Sequence, residues 1–303
     1  MKRLSILLLI LIFFLGGVYW GLKNFYHNYS YITLWMPEEN LVFLVPITIK
    51  LPANTVAPQL IIEKLISFND TDSLPLINPF PSGVKLLGCS IQKNLIELNF
   101  SSQFLLPFEE GKEESRLILS ALSYTLGEIP GVEGFIINIE GEKKESLGEI
   151  SLGEPYPVMH NFPNLYLSGK EKEDEKQKIL LYYLLPRSEL LVPVTLMGSS
   201  DSLTSRLERL KRNVEGFLVS PFPPATEILS FKVSGKKAYL NLTSAFLNSS
   251  YPKAQAKAIL YTLSKNTEIK ELQILIEGKK IRQLNKITLN KEKELNSIYS
   301  FKK

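Results

Sequence analysis

The stretch LNFSSQFL at residues 98–105 is nearly repeated as LNLTSAFL at residues 240–247, 142 positions later. The stretch upstream keeps the same offset, since PFPSGVKLL begins at Pro79 and PFPPATEIL begins at Pro221. One partial match of eight residues is compatible with chance. Two neighbouring matches in the same order and at the same spacing indicate that a longer segment has been duplicated.

Further matches define the length of the duplicated unit. LVP occurs at 44–46 and again at 191–193, an offset of 147, whereas IEGEK at 139–143 and IEGKK at 276–280 are 137 positions apart. The offset only falls along the chain, which indicates short deletions in the second copy. A unit of roughly 110 to 120 residues is far longer than a solenoid repeat, so we expect each copy to be a self-sufficient domain.

The composition favours a globular protein. Hydrophobic residues make up 45% of the 303 residues and charged residues 22%, which is close to the average for folded domains. The net charge of +4 comes from interspersed lysine and glutamate and not from a cluster. A surface that follows nucleic-acid phosphates needs clustered lysine and arginine, so the sequence gives no support for nucleic-acid binding.

The N-terminal residues differ from the rest of the chain. An uncharged run from Leu4 to Leu22 follows Lys2 and Arg3. At about 1.5 Å per residue such a run spans roughly 28 Å, which is enough for a helix to cross a bilayer. The two cations favour a cytoplasmic N-terminus, so the run predicts a single-pass signal anchor in the cell membrane with the bulk of the chain on the extracytoplasmic side. A cleaved signal peptide would need an A-x-A-like site of small residues, which Gly16 and Gly17 followed by the bulky stretch 18–20 fit poorly. A lipoprotein would need a cysteine just after the run, and none is there.

The repeat and the anchor together divide the chain into five segments. They are a cytoplasmic stub, transmembrane anchor and juxtamembrane segment at 1–30, a first domain at 31–153, a linker at 154–177, a second domain at 178–290 and a charged tail at 291–303. The linker ends in the charge run KEKEDEKQ (170–177), which is typical of a solvated connection.

Each copy combines strands with helices. Ile96, Leu98 and Phe100 alternate with less apolar neighbours, which predicts a strand with one buried face. Mixed strand and helix order, with hairpins, favours an α+β fold: two tandem repeats of a compact helix-on-sheet domain. The elements predicted in the first copy are strands at 31–36, 41–50, 84–91, 94–100 and 134–141, and helices at 56–67 and 113–126; the first helix recurs at 202–213.

Residues that carry common enzymatic chemistry are scarce. The two histidines, His27 and His160, lie outside the repeats, and no nucleotide-binding or nucleophile motif is present. The single cysteine, Cys89, corresponds to Phe231 in the second copy, so we expect a buried and inert thiol. The sequence therefore predicts no enzyme activity, no catalytic residue, no cofactor and no metal site.

Paired carboxylates are the remaining candidates for catalysis. Glu140 and Glu277 occupy the same place in the two copies, and two acids that flank a glycosidic bond are the requirement for a wall hydrolase. Glu97 or Glu128 is a candidate partner for Glu140, but neither is an acid in the second copy. The preferred interpretation is that both glutamates end a strand beside a turn.

The polar residues of LNFSS allow two interpretations. Asn99, Ser101 and Ser102 are able to bind a sugar or a peptide through their amide and hydroxyl groups. We prefer a structural role, in which they end the strand and cap the turn that returns Phe104, and its counterpart Phe246, to the core.

The order of these motifs resembles the GerMN domain of sporulation and spore germination proteins of endospore-forming bacteria. The segments that carry the resemblance are VKLLGCSIQKNLIELNFSSQF (84–104) and YTLGEIPGVEGFIINIEG (124–141), with EILSFKVSGKKAYLNLTSAF (227–246) and YTLSKNTEIKELQILIEG (261–278) in the second copy. The family's usual aspartate is Asn99 and Asn241 here, so no role for that carboxylate transfers to this chain.

The resemblance implies a membrane-anchored scaffold or assembly module that docks other proteins. Its implied partners are the membrane, through the N-terminal helix, and envelope or sporulation complex proteins, with self-association and peptidoglycan contact left open. Two other classes remain: a peptidoglycan-binding or wall-remodelling protein, and a germinant or ligand receptor with a concave site between the domains.

Overall fold

The computed structural model describes residues 29–52, 57–69, 74–109, 114–152, 155–167, 177–214, 216–284, 286–289 and 295–298. The predicted anchor lies outside these residues. Among the helices that are described, none is long and apolar enough to cross a membrane.

The first half follows the predicted order of strands and helices. Its elements are β1 (Tyr29–Pro37), β2 (Leu44–Pro52), α1 (Pro58–Ile66), β3 (Leu86–Gln92), β4 (Leu95–Phe100), a 3-10 helix (Ser102–Leu105), α2 (Leu106–Glu109), α3 (Glu114–Gly127), β5 (Gly134–Ile139), β6 (Glu142–Lys143), β7 (Ser146–Leu147) and β8 (Ile150–Ser151). The predicted linker contributes two more short strands, β9 (Tyr156–Pro157) and β10 (Leu165–Tyr166).

The second half repeats this order. Its elements are β11 (Gln177–Leu184), β12 (Leu191–Gly198), α4 (Leu203–Leu210), β13 (Ile228–Ser234), β14 (Lys237–Leu242), a 3-10 helix (Ser244–Leu247), α5 (Pro252–Ser264), β15 (Glu271–Ile276), β16 (Lys279–Lys280), a 3-10 helix (Arg282–Leu284), β17 (Ile287–Thr288) and β18 (Ser297–Ile298).

Each half is built from a five-stranded sheet and a separate hairpin. The first sheet has the order β3-β4-β5-β6, with β9 also paired to β5, and the second has the order β13-β14-β15-β16, with β17 paired to β15. The β4–β5 and β14–β15 pairs are parallel, because a helix crosses over between their strands. The hairpins β1–β2 and β11–β12 are antiparallel. These features confirm the α+β class and the tandem arrangement.

The long helices α3 and α5 each contact both kinds of sheet. Helix α3 contacts β1 on one side and β5 on the other, and α5 has the same contacts with β11 and β15. The predicted alternation in β4 is confirmed, because Ile96, Leu98 and Phe100 are fully buried. Their burial removes apolar surface from water, which is the main source of stability for each half.

Two helix boundaries differ slightly from the prediction. Helix α1 begins at Pro58, where a proline costs no hydrogen bond because the first-turn N–H has no intrahelical partner. Ser202 precedes α4 as its N-cap, and its hydroxyl accepts a hydrogen bond from the Ser205 N–H at 3.2 Å. That helix ends at Leu210, before the predicted end at 213, and the Asn213 side chain instead accepts a hydrogen bond from the Ser220 N–H.

The prediction of a fully buried cysteine needs a correction. Cys89 is half-buried on β3, where it packs against the core from the side. Desolvation and the nearby Glu63 carboxylate both raise the pKa of its thiol above the ordinary value of 9.0. A raised pKa disfavours the reactive thiolate, and the inertness of this thiol stays a prediction.

Candidate functional site

The two repeated glutamates hold turns. Both have positive φ, +49° at Glu140 and +49° at Glu277. The Glu140 carboxylate accepts a hydrogen bond from the Ser102 N–H at 3.0 Å, and Glu277 accepts one from the Ser244 N–H at 3.4 Å. Each carboxylate thus satisfies a backbone donor at the start of a 3-10 helix. This geometry supports the structural interpretation of both residues.

The acids considered as partners of Glu140 have other contacts. Glu97 accepts a hydrogen bond from the Asn138 side chain at 2.6 Å. Glu128 accepts one from the indole N–H of Trp35 at 3.3 Å. The two carboxylates serve different parts of the first domain.

The repeated asparagines accept hydrogen bonds from the same turns, and Ser101 accepts one from the residue just before a neighbouring strand. The Asn99 side chain accepts a hydrogen bond from the Gly141 N–H at 2.9 Å, and Asn241 accepts one from the Gly278 N–H at 2.8 Å. Ser101 is buried and accepts a hydrogen bond from the Lys85 N–H at 3.0 Å. Hydrogen bonds therefore join the LNFSS motif to the IEG motif in the first copy, and the corresponding motifs in the second. This mutual dependence explains why both motifs occur in each copy.

One of the two histidines, His160, lies within the described residues. His27 lies outside the described residues. The Nδ1 atom of His160 is 2.8 Å from the carbonyl oxygen of Gly127, at the exposed end of α3. A Cβ on Gly127 would lie 2.3 Å from the Met159 carbonyl oxygen, so glycine is required where this segment approaches the helix.

The junction between the halves is held by a side chain that sequence reasoning did not single out. The Asn164 side chain donates to the carbonyl oxygens of Leu44 and Pro193, both at 2.7 Å, and accepts from the Leu44 N–H at 2.8 Å. Leu44 belongs to the first half and Pro193 to the second. The strand that follows, β10, pairs in parallel with β12 of the second half. The segment after the first domain thus joins the second domain.

The segment after the second domain makes the reciprocal connection. The Asn296 side chain donates to the carbonyl oxygens of Leu191 at 2.7 Å and Pro46 at 2.9 Å, and accepts from the Leu191 N–H at 2.8 Å. The strand that follows, β18, pairs in parallel with β2 of the first half. Each half therefore receives a strand from the segment that trails the other half.

The bridged carbonyls place β2 and β12 side by side. One asparagine joins Leu44 to Pro193 and the other joins Pro46 to Leu191, which is the register of an antiparallel pair centred on Val45 and Val192. Both valines are fully buried. The prolines of the two LVP motifs have no N–H to donate, and the asparagine amides supply the missing donors at this junction.

A cleft of about 480 Å³ opens beside the junction and is lined by both halves. Its walls include two equivalent aromatic pairs: Trp35 and Tyr124 are 5.0 Å apart between ring centroids, and Tyr182 and Tyr261 are 5.3 Å apart. Burial raises the pKa of the Tyr124 phenol above its ordinary value of 10.0. A ligand receptor would need a concave site between the domains, and this cleft lies at that place; whether it binds a ligand stays a hypothesis.

The outer edges of the two five-stranded sheets form a second pair of equivalent surfaces. Strands β3 and β13 end their sheets, and among the described residues no other strand pairs with their outer edges. Ile91 on β3 is 49% exposed and Val233 on β13 is 42% exposed. The hairpin edges are different, because the N–H groups of Trp35 and Tyr182 donate to the hydroxyls of Thr125 and Thr262 on the adjoining helices.

Comparison with known proteins identifies the repeated unit. A family model named Germane, described as sporulation and spore germination, matches residues 33–145 and again residues 166–282. The chain belongs to the Germane family. This confirms the family and the tandem repeat predicted from the sequence. No curated protein matches the chain in sequence.

One solved structure of two tandem domains supports the fold of this Germane protein. The tandem GerMN domains of the sporulation protein GerM from Bacillus subtilis are 17% identical, with 89% of this chain and 99% of that chain covered and a TM-score of 0.58. The first GerMN domain of the same protein is 16% identical over 44% of this chain and 97% of that chain, with a TM-score of 0.33. At these identities the likeness extends to the fold alone.

The junction residues of this Germane protein could have been found by extending the sequence alignment. Asn164 and Asn296 lie 132 positions apart, which continues the fall of the offset from 147 through 142 to 137. Both have positive φ, +51° and +53°, a conformation that asparagine tolerates better than most residues. The sequence signal is one shared asparagine, in PNLY (163–166) and in LNSI (295–298). It is easily missed, because the charged residues nearby suggested a linker and a tail.

Proposed function

We propose that this chain is a membrane-anchored, extracytoplasmic assembly module of the sporulation or spore germination machinery, which acts by docking other proteins and not by turnover. The observation that carries the proposal is the pair of sheet edges at β3 and β13, to which no other described strand pairs and each of which carries exposed apolar side chains, although helix α1 also contacts β3. An edge strand presents unpaired N–H and C=O groups, to which a strand of another protein adds directly.

The composition of the edges favours docking. Strand β3, LLGCSIQ, contains no charged residue, and β13, ILSFKVS, contains only Lys232. Proteins commonly protect an open edge with charges or prolines, and neither strand has a proline. A bulge between Leu86 and Gly88, and its counterpart between Ile228 and Ser230, limits the regular edge to the second part of each strand.

The junction adds a second reason. Strand β10 pairs with β12, strand β18 pairs with β2, and two asparagine side chains bridge the halves. The two edges therefore belong to one connected body. A connected pair of equivalent edges suits a protein that brings partners together in a set arrangement. Multivalent attachment of this kind raises the effective concentration of one partner near another.

The anchor and the absence of turnover are parts of the same proposal. The support for the anchor is the uncharged run from Leu4 to Leu22 behind Lys2 and Arg3. The support for a role without catalysis is that the repeated glutamates and asparagines satisfy backbone donors of their own domains. These groups have structural work that does not involve a substrate.

The test is a pair of charge variants in sporulating cells of a spore-forming bacterium. Ile91→Lys with Val233→Lys places a cation on each edge, and the matched control, Leu106→Lys with Leu247→Lys, changes two equally exposed apolar residues outside the strands. We expect cross-linked envelope proteins to be lost from the edge variant only, with both variants retained in the membrane fraction. Unchanged partners in the edge variant, or turnover of peptidoglycan fragments by the purified chain, would contradict the proposal.

A further inference from the structure

The cleft beside the junction has an aromatic wall on each side. Trp35 and Tyr124 line it from the first half, and Tyr182 and Tyr261 line it from the second. The offset of 147 makes Tyr182 the counterpart of Trp35, and the offset of 137 makes Tyr261 the counterpart of Tyr124. At about 480 Å³ the cleft is in the range of small-molecule sites, which span roughly 300 to 1,000 Å³. A ligand that lies across it meets an aromatic surface from either half.

The two walls carry opposite charges at equivalent positions. Glu128 follows helix α3 directly, and Lys265 follows helix α5 at the offset of 137. Both residues line the cleft and both are exposed. The two copies therefore share the aromatic character of the walls and differ in the sign of the charge beside them. This difference gives the cleft a direction that its repeated framework lacks.

The helix ends strengthen the difference in charge. The C-terminal end of a helix carries partial negative charge, which a glutamate increases and a lysine offsets. At the end of α5, the buried Arg206 guanidinium already donates to the carbonyl oxygens of Thr262 at 3.0 Å and of Lys265 at 2.6 Å. The Lys265 ammonium therefore adds positive charge at an end whose carbonyls have a cationic donor. At the end of α3, the Glu128 carboxylate adds to the negative charge of the helix.

The Glu128 carboxylate lies against the aromatic wall of the first half. Its Oε1 atom accepts a hydrogen bond from the Trp35 indole N–H at 3.3 Å. A carboxylate has two oxygens with about four lone-pair sites, so this bond leaves capacity to accept from a ligand. Aromatic rings also attract a cation that lies over their faces. An ammonium group therefore suits this wall.

We propose that the cleft binds a zwitterion with an apolar body, which is the chemistry of an apolar amino acid or of a short peptide with free ends. The ligand's ammonium group pairs with Glu128, its carboxylate pairs with Lys265, and its apolar part packs on the tyrosine rings. A simple cation or anion is attracted by one wall and repelled by the other, and a neutral sugar uses neither charge. The amides of Asn161 and Asn266 also line the cleft and are able to bond a peptide group.

The site goes beyond docking, because it adds a small ligand to a module proposed to act through its sheet edges. Both halves line the cleft, so a bound zwitterion joins them across the junction. Single amino acids and short peptides share the two charged ends and differ in length. The probes are therefore leucine and phenylalanine as single amino acids, and leucyl-phenylalanine as a peptide.

The test titrates the purified full chain with these probes by isothermal titration calorimetry. Each probe is also used in two capped forms, one N-acetylated and without the ammonium group, the other a C-terminal amide without the carboxylate. We expect saturable binding of at least one free probe. Either cap should lower its affinity by about tenfold or more, because each cap removes one charged hydrogen-bond partner.

Exchange of charges between the two copies supplies matched variants. Glu128→Lys makes both walls positive and Lys265→Glu makes both negative, so each should lower the affinity by about tenfold or more. The double variant restores opposite charges, and we expect it to regain most of the affinity with the ligand reversed. Glu149→Lys and Lys279→Glu change exposed residues outside the cleft and should bind as the wild type does.

The outcomes separate a ligand site from a structural charge pair. Glu128→Gln keeps an acceptor for the Trp35 indole N–H and removes only the charge, so its loss of affinity reports the charge. The proposal is overturned if no free probe binds the wild type, if the capped probes bind as well as the free ones, or if the double variant binds no better than the single variants. The capped probes decide the question on the wild type alone if a variant fails to fold. None of these outcomes depends on the docking edges β3 and β13.

Discussion

Asn164 and Asn296 make the same set of hydrogen bonds at opposite ends of one junction. Each side chain accepts from the leucine N–H of one LVP motif, and each donates to that leucine's carbonyl oxygen and to the proline carbonyl oxygen of the other motif. Thr195 and Thr48 extend the equivalence, since their hydroxyls donate to the residues just before the two asparagines, Pro163 and Leu295. The two halves are therefore related by an approximate two-fold arrangement.

The first prediction concerns the donors of these bridges. Asn296→Asp keeps the shape of the side chain and its tolerance of positive φ, but places an oxygen against the carbonyl oxygens of Leu191 and Pro46. We expect the free energy of unfolding to fall by about 2 to 4 kcal/mol, because two carbonyls lose their donor and gain repulsion. Asn164→Asp should behave alike in chemical denaturation. A loss below about 0.5 kcal/mol in both variants, the usual range for neutral surface changes, would show that the bridges are dispensable.

The second prediction asks whether Glu140 contributes to stability through its hydrogen bond with the Ser102 N–H or through its charge. Glu140→Gln retains an oxygen that accepts from the Ser102 N–H, so we expect a change within about 0.5 kcal/mol. Glu140→Ala removes the acceptor and should cost about 1 kcal/mol, the usual value of a lost cap. Urea denaturation of the two variants and of the matching Glu277 pair measures both values. If the glutamine variants also abolish sporulation while folded and abundant, the structural role assigned to these acids is wrong.

The regular part of the fold was predictable because side-chain periodicity reports burial. Ile96, Leu98 and Phe100 define an alternating strand from the sequence alone, and Pro58 marks a helix start within two residues. The junction was not predictable in the same way. Strands β10 and β18 each have only two residues, too few for a periodic pattern, and each is stabilised by a partner distant in sequence.

The third prediction compares backbone strain at two corresponding positions of the repeat. Ala225 has a φ of +63° at the position where the first copy has Gly83, with a φ of +80°. Ala225→Gly should stabilise the protein by about 0.5 to 1 kcal/mol, because relief of the left-handed conformation outweighs the added freedom of the unfolded chain. The reverse change, Gly83→Ala, should destabilise by about 1 kcal/mol through conformation alone, since no atom lies within 4 Å of the new Cβ. Equal melting temperatures in all three proteins would refute the strain argument.

The fourth prediction concerns alkaline pH. Burial raises the pKa of the Tyr183 phenol above its ordinary value of 10.0, with Arg209 and Arg212 opposing the shift. Below pH 10 the phenol is protonated in both states and contributes no pH dependence. Above pH 10 the unfolded chain releases this proton while the folded chain retains it, so stability falls as pH rises. Urea unfolding of Tyr183→Phe should show a shallower loss between pH 9 and 11 than the wild type.

The control for this pH series is Tyr239→Phe, which removes an exposed phenol in place of a buried one. We expect Tyr239→Phe to follow the wild type at every pH. The Tyr183 hydroxyl makes only a 3.4 Å contact with the Arg209 carbonyl oxygen, so its loss should matter little at neutral pH. Parallel curves for wild type and Tyr183→Phe above pH 10 would mean that this phenol does not limit alkaline stability.

The last prediction concerns the segment after the second domain, residues 291–303, whose removal should loosen the first domain. Strand β18 pairs with Thr48 and Ile49 of β2, and the Thr48 N–H donates to the Asn296 carbonyl oxygen at 3.3 Å. We therefore expect deletion of 291–303 to speed amide hydrogen exchange at Thr48 and at Leu191, while Thr195 stays slow because Pro163 and Asn164 still accept its N–H. Asn164→Ala removes the acceptor of the Leu44 N–H and should speed exchange at Leu44, while Thr48 stays slow because Asn296 still accepts its N–H. If the deletion speeds hydrogen exchange in the second domain only, β18 does not stabilise the first domain.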